Sequence, residues 1–351
     1  MQVISFQNLD NFIPQSEFEE KVLLFCQDWR NNKQDFEFFT SGSTGTPKPL
    51  KIQREQMINS AQQTIDWLGL EKGNNAFLGL YPNYIAGAMV LVRALIAQMN
   101  LILVEPQENF FSEFTADLPP IHLASFVPNQ WKTLLMCNLE LNNYFGQAKG
   151  ILLGGSDLDE ETKAITSSQC RFPVYLTYGM TETVSHIAFQ SLSMNLTNYL
   201  QTLPNVHISK DSNDCLVVSS PSTFGEKVVT QDLVEIISDS TFRIIGRNNR
   251  IINSAGLKIN PIELEKEIGF YFKGINVSFF ITGLLDEFYG QKVVLIVKGN
   301  EFIYWNDLIQ YLKGKFDKNC LPKEYILVKK FEITTSGKLD ILSTLRANNL
   351  N

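Results

Sequence analysis

Before residue 246 the apolar positions switch repeatedly between two periods. Phe36, Phe38 and Phe39 make a short aromatic run of strand type. A helical pattern starts near Arg54, with Met57, Ile58, Ala61, Ile65 and Leu68 on the side expected to pack on a sheet. Residues 86–97 repeat the helical spacing, and 101–104 form an apolar run of buried-strand type. Further strands are expected at 121–127, 151–153 and 174–177, and the last two run into Gly-containing turns. This alternation predicts a layered α/β domain. Beyond residue 250 the pattern changes to α+β: strands at 277–281 and 292–297 flank a loop at 286–290, and a helix follows over 305–315. The break at 246–250, rich in charge and amide side chains, is the natural boundary. It predicts a large domain over 1–248 and a small one over 249–351. No internal repeat or low-complexity segment is evident.

Composition narrows the function classes. The chain has 351 residues, 44% hydrophobic and 19% charged, with a net charge of −7. That balance, without a basic run, argues against a nucleic-acid surface. Cys26, Cys137, Cys170, Cys215 and Cys320 are far apart with no C-x-x-C pair. Neither a zinc site nor a disulfide framework is expected, and a reducing cytoplasm is the natural home. Residues 1–10 lack the basic-then-apolar pattern of a signal peptide. The apolar stretch 84–104 is broken by Arg93, Gln98 and Asn100, so it reads as a helix and a strand, not a membrane span. A soluble protein is expected.

The densest chemistry lies at 39–48, where Thr40, Ser41, Ser43 and Thr44 alternate with Gly42 and Gly45 before Pro47 and Lys48. Glycines let the backbone bend, so hydroxyls and N–H groups can converge on phosphate oxygens. The spacing is not that of G-x-x-x-x-G-K-[ST], and a Ser/Gly-rich surface turn has the same composition. After the strand at 174–177 comes Tyr178-Gly179-Met180-Thr181-Glu182-Thr183. A carboxylate at a strand's C-terminal end sits where α/β sheets bind ligands, and Glu182 suits Mg²⁺ shared with phosphate. A solvated loop Glu is the alternative. Gly246-Arg247-Asn248-Asn249-Arg250 leads to Ser254-Ala255-Gly256 and to a helix with Pro261 in its first turn. Thr335-Ser336-Gly337-Lys338 closes the series, and its Lys alone would pass for a surface residue.

In order and spacing these segments resemble the adenylate-forming superfamily of acyl-CoA synthetases, luciferases and nonribosomal adenylation domains. The resemblance implies a layered α/β domain with a small α+β lid, acting on ATP, Mg²⁺, a small carboxylic acid and CoA as co-substrate. Thr40, Ser41, Gly42, Ser43, Thr44, Gly45 and Lys48 would wrap the β- and γ-phosphates. Tyr178, Gly179, Thr181 and Glu182 would hold adenine, the α-phosphate and Mg²⁺. Asp232, in Thr230-Gln231-Asp232, would grip the ribose together with Arg247. Lys338 would contact the α-phosphate and the attacking carboxylate, Asn249 would fall at the hinge, and Gly256 would face the pantetheine tunnel.

Within the superfamily the resemblance extends to CoA ligases of an aromatic diacid, through residues 178–185, Val127-Pro128-Asn129-Gln130 and Tyr84-Ile85-Ala86-Gly87. It implies an acid site at Tyr84, Arg93, Gly154, Gly155, Ser156 and Ser185, with Arg93 on the second carboxylate. An Arg within an apolar helix calls for an anionic partner, although snorkelling or a protein carboxylate would also satisfy it. The chain departs from the pattern at Tyr84 (usually His), Gln231 (usually Gly), Asn249-Arg250 (usually an acidic pair) and Leu339-Asp340 after the Lys. It is also shorter than typical members, with the shortfall expected mostly at the N-terminus. Rival readings are an enzyme that loads a carrier protein and a non-catalytic ATP-binding module.

Overall fold

The computed structural model describes the chain except for Asp10, residues 40–48, Glu108, Asn109, Ala116, Asn138, Asn276, residues 334–338 and Asn351. Among the described residues, twelve strands form one large sheet. Its middle is parallel, with Asn100–Leu103, Asn75–Leu78, Leu123–Phe126, Gly150–Leu153 and Val174–Met180 side by side in that order. Gln2–Ile4 adds an antiparallel edge. On the other side the sheet continues antiparallel through Ser185–Ser191, Leu200–Thr202, Thr241–Arg247, Val228–Ser238, Cys215–Ser219 and His207–Lys210.

Successive residues of the parallel strands feed opposite cores, as a two-residue period requires. Ala76, Leu78, Leu101, Leu103, Leu123 and Leu152 pack into one cluster, under the helices Glu17–Arg30, Arg54–Leu68 and Ile85–Ala97. Phe77, Ile102, Ala124, Ile151 and Leu153 pack into the other, with Trp131 and Leu134 of Pro128–Met136 and Phe145 of Leu141–Phe145. Burial on both faces explains why these strands read as unbroken apolar runs. No helix among the described residues is long and apolar enough to cross a membrane.

The layered architecture agrees with the pattern. In the second unit the strand expected at 277–281 is Phe279–Asp286, and the one expected at 292–297 is Gly290–Lys298, so the intervening loop is shorter than expected. Another expectation also changes. The strand predicted at 174–177 runs on as Val174–Met180, so Gly179 lies in a strand and not in a turn. It pairs with His186 of Ser185–Ser191 beside an irregularity between Tyr178 and Gly179. A Cβ at Gly179 would lie 2.1 Å from the Ser185 carbonyl oxygen, so close strand approach, not turn formation, demands this glycine. The reversal comes later, in the 3-10 turn Thr181–Thr183.

From Ile252 onward the strands belong to a separate five-stranded sheet. Ile252–Ser254 and Leu257–Ile259 form a hairpin, Phe279–Asp286 and Gly290–Lys298 a longer one, and Glu324–Val328 runs parallel to the latter. Pro261–Tyr271 and Trp305–Lys313 cover one face, where Val293, Leu295 and Val297 point. Leu345 of Ile341–Ala347 meets Val294 and Ile296 on the other.

Between the sheets lies the single 3-10 turn Asn248–Arg250. Arg250, a departure from the pattern, is tied to the second unit. It donates to both carboxylate oxygens of Glu265, at 3.0 and 2.6 Å, and to the Ile281 carbonyl at 3.1 Å. Glu265 also accepts from the Ile281 N–H at 2.8 Å. Arg250→Ala is therefore expected to destabilise this unit by about 2–3 kcal/mol, since it removes charge-assisted bonds from a largely buried carboxylate. Faster amide exchange at Ile281 and its neighbours would register the loss; unchanged exchange would show that the clamp contributes nothing.

Candidate active site

The C-terminal end of Gly150–Leu153 opens beside Leu176 and Thr177 of Val174–Met180, the side on which α/β sheets receive ligands. Thr177 donates to the Leu153 carbonyl at 2.9 Å, and a Cβ at Gly154 would lie 2.8 Å from the Thr177 hydroxyl. Gly155 (φ +100) turns the chain away, leaving Gly155 and Ser156 exposed at the rim. Val127 and Gln130 serve locally: the Gln130 side chain accepts from the Val127 N–H and donates to the Gly79 carbonyl, fixing the start of Pro128–Met136.

Tyr178, Asp232 and Arg247 meet although they lie on three different strands. The Tyr178 hydroxyl donates to Asp232 Oδ2 at 2.7 Å, and Arg247 Nε lies 3.0 Å from Oδ1. Asp232 and Arg247 are direct cross-strand partners. Burial, reinforced by the Asp232 charge, raises the Tyr178 phenol far above its usual range, so it remains a hydrogen-bond donor. A carboxylate offers about four lone-pair sites, so Asp232 retains capacity for ligand hydroxyls.

Glu182 stands exposed on the turn and has no protein partner among the described residues. The turn itself is firmly held. Thr183 accepts from the Met180 N–H at 3.0 Å and donates to the Ser185 carbonyl at 2.8 Å. Ser60, from the neighbouring helix, donates to the Val184 carbonyl at 2.7 Å. These bonds support positive φ at Val184 (57°) and Ser185 (102°), conformations that non-glycine residues seldom adopt. Among the described residues no three His, Cys, Asp or Glu side chains converge on one point. Glu182 would thus hold a divalent ion only jointly with phosphate oxygens and water.

Arg93 lies within the helix Ile85–Ala97 and is only 2% exposed. It donates from Nη2 to Ser185 Oγ at 3.1 Å, and its buried Nε has no partner. No protein carboxylate among the described residues pairs with it, and its burial disposes of snorkelling. Burial pushes its pKa down to about 9, leaving it cationic at neutral pH. Tyr84, the helix N-cap, is exposed and lies roughly 14 Å of helix rise away from Arg93. The two are not brought together.

Gly256 has φ +81°, and a Cβ there would meet nothing within 4 Å. Its hairpin conformation requires glycine; crowding by described atoms does not. The expected phosphate loop (Thr40, Ser41, Gly42, Ser43, Thr44, Gly45, Lys48) and Lys338 lie outside the described residues. Sequence reasoning missed His186 and Thr64, which join Ser185 in a buried polar cluster. The only signal was a polar pair, Ser185-His186, ahead of the apolar run Ile187-Ala188-Phe189.

The AMP-binding enzyme family model matches residues 23–220. A 2-succinylbenzoate–CoA ligase of Staphylococcus epidermidis is 28% identical over 86% of this chain and 67% of its own length. A 2-succinylbenzoate–CoA ligase of Listeria monocytogenes is 24% identical over 93% of this chain and 72% of its own. The chain thus spans about two thirds of the length of these curated relatives. Among solved structures, an AMP-forming acyl-CoA synthetase/AMP-acid ligase II-like protein from Dyadobacter fermentans is 30% identical with a TM-score of 0.64, covering 99% of both chains. The o-succinylbenzoate CoA synthetase of Bacillus subtilis, solved with its acyl-adenylate intermediate, shares the fold at a TM-score of 0.72 and 20% identity, over 87% of this chain and 67% of that one. The family match takes in the parallel strands and the turn bearing Glu182, and by it the chain belongs to the AMP-binding enzyme family.

Proposed function

We propose that this protein is an AMP-forming acid–CoA ligase whose acid is 2-succinylbenzoate, acting in menaquinone biosynthesis. The observation that carries the choice of acid is Arg93, a buried guanidinium with no carboxylate partner among the described residues. Burying an unpaired charge is costly, and a substrate carboxylate would supply its partner. The names of the curated relatives support the same acid.

In this reading Asp232 and Arg247 hold the ribose of ATP, Tyr178 lies on the adenine side, and Glu182 would hold Mg²⁺ jointly with phosphate oxygens. The bound ion supplies neutralisation of phosphate charge. Lys48 and Lys338 add to it, so that an anionic carboxylate can approach a polyanion. The carboxylate oxygen bonds to the α-phosphorus as the bond to pyrophosphate breaks. The CoA thiolate then bonds to the acyl carbon of the adenylate, and AMP leaves. Residues 1–248 form the ATP- and acid-binding domain and 249–351 the lid that carries Lys338, with Asn249 at the hinge.

Pyrophosphate release with ATP, CoA and a panel of acids tests this. Turnover with 2-succinylbenzoate well above that with monoacids or amino acids is expected, and preference for an amino acid would overturn the reading. Arg93→Ala is expected to weaken use of 2-succinylbenzoate by about 2–4 kcal/mol, the order for a desolvated charge-assisted pair. The KM for ATP should hardly change. Equal losses for benzoate-type monoacids and the diacid would make Arg93 structural.

A further inference from the structure

The hydrogen bonds behind Arg93 have a direction. A guanidinium only donates, so Ser185 Oγ is the acceptor of the 3.1 Å bond from Nη2. The hydroxyl's own proton must then go elsewhere, and His186 Nδ1 lies 3.4 Å away. An imidazole that accepts at Nδ1 carries its proton on Nε2 when neutral. Nε2 faces Thr64 Oγ1 at 3.3 Å, and Thr64 passes its own proton to the Ser60 carbonyl at 3.2 Å, one turn back along Arg54–Leu68. Every proton along Arg93, Ser185, His186, Thr64 and Ser60 points the same way. The reverse order, with Ser185 Oγ accepting from both Arg93 and an Nδ1–H, would leave the serine proton without an acceptor among these groups.

The surroundings of His186 suit that role. It is buried, and Trp67 meets its ring edge-on at 6.0 Å between centroids. Arg93 is the charged group acting on it. Burial first, and then the Arg93 charge, hold its pKa well below the ordinary histidine range. A protonated ring would present Nδ1–H to Ser185 and so take away the acceptor of that hydroxyl's own proton. The same helix holds both sides of the turn, since Ser60 bonds to Val184 and Thr64, four residues on, bonds to His186.

We propose that His186 is a positioning residue for the acid site: by accepting from Ser185 it fixes that hydroxyl as the acceptor that orients Arg93, leaving the buried Nε–H free for a substrate carboxylate. The occupant of the site rests on the ligase reading; the direction of the hydrogen bonds does not. Two measurements therefore separate them. The chain has three histidines, so ¹⁵N-histidine NMR resolves three imidazoles, with that of His186 identified by its loss in His186→Gln. The expected result is a neutral Nε2–H tautomer that does not titrate between about pH 8 and 5.5. An Nδ1–H tautomer, or titration at the usual pKa, would overturn the proposal whatever the enzyme's substrate. In steady-state kinetics His186→Leu, which can neither accept nor donate, is expected to raise the KM for 2-succinylbenzoate about tenfold. The KM for ATP should stay near the parent value. His186→Gln, with an amide oxygen for Ser185 and an NH₂ for Thr64, is expected to recover most of the loss. Equal impairment by both variants, or an equal rise in both KM values, would reduce His186 to packing. Should the parent protein fail to release pyrophosphate with 2-succinylbenzoate, the ligase reading falls, while the imidazole spectrum still decides the hydrogen-bond chain.

Discussion

Lys338→Ala is expected to lower acyl-adenylate formation by roughly a hundred- to thousandfold, the usual loss when one group aimed at developing charge is removed. The second half-reaction should survive. In the first step negative charge accumulates around the α-phosphorus, where the approaching carboxylate meets phosphate oxygens, and an ammonium there offsets the repulsion. In the second step a thiolate attacks an acyl carbon, and AMP is already a good leaving group. Single-turnover measurements would compare acid plus ATP with chemically supplied adenylate plus CoA. If the variant handled both equally slowly, the assignment of Lys338 to adenylation alone would fail.

Asn249→Pro is expected to separate the two half-reactions in the other sense, preserving one and stalling its partner. The argument comes from what flanks the position. Arg247 is held to Asp232 at the end of the large sheet, and Arg250 is clamped to Glu265 and Ile281 in the small unit. Only Asn248 and Asn249 lie between these anchors, so any reorientation must be absorbed by very few dihedrals. Proline fixes φ near −65°, within the range of the 3-10 turn present here, and resists departure from it. A folded variant that forms adenylate but transfers it slowly to CoA, or the reverse, is the expected outcome. Parent rates for both steps would place the hinge elsewhere. Circular dichroism distinguishes a blocked hinge from a lost fold.

Much of this architecture was legible because it depends on local period. Met57, Ala61, Ile65 and Leu68 are buried on one face of Arg54–Leu68, as their spacing required, and the apolar runs expected at 101–104, 121–127 and 151–153 became central parallel strands, whereas the strand Asn75–Leu78 was not foreseen. The second, smaller α+β unit was equally readable from its change of pattern. What escaped depends on partners distant in sequence. Gly179 has the appearance of a turn residue until Ser185 and His186 are seen lying against it. Arg93 could be marked as an anomaly in an apolar helix, but nothing in the string of residues says that its neighbour is Ser185 and not a glutamate. The meeting of Tyr178 with Asp232 requires the strand order of the sheet, which no local pattern encodes. His186 was passed over for the same reason, since its acceptor and donor roles follow from Thr64 on a helix some 120 residues earlier.

The two-residue gap between Arg247 and Arg250 also has a kinetic meaning. A tether so short keeps the C-terminal unit at an effective concentration on the order of millimolar or more with respect to the large sheet. Under the proposed reading, delivery of Lys338 would then be independent of how much protein a cell contains. The arrangement would convert a second-order encounter into a conformational step with its own fixed rate. Dilution leaves that rate untouched, whereas cutting the peptide chain between the two arginines would turn catalysis into an assembly problem.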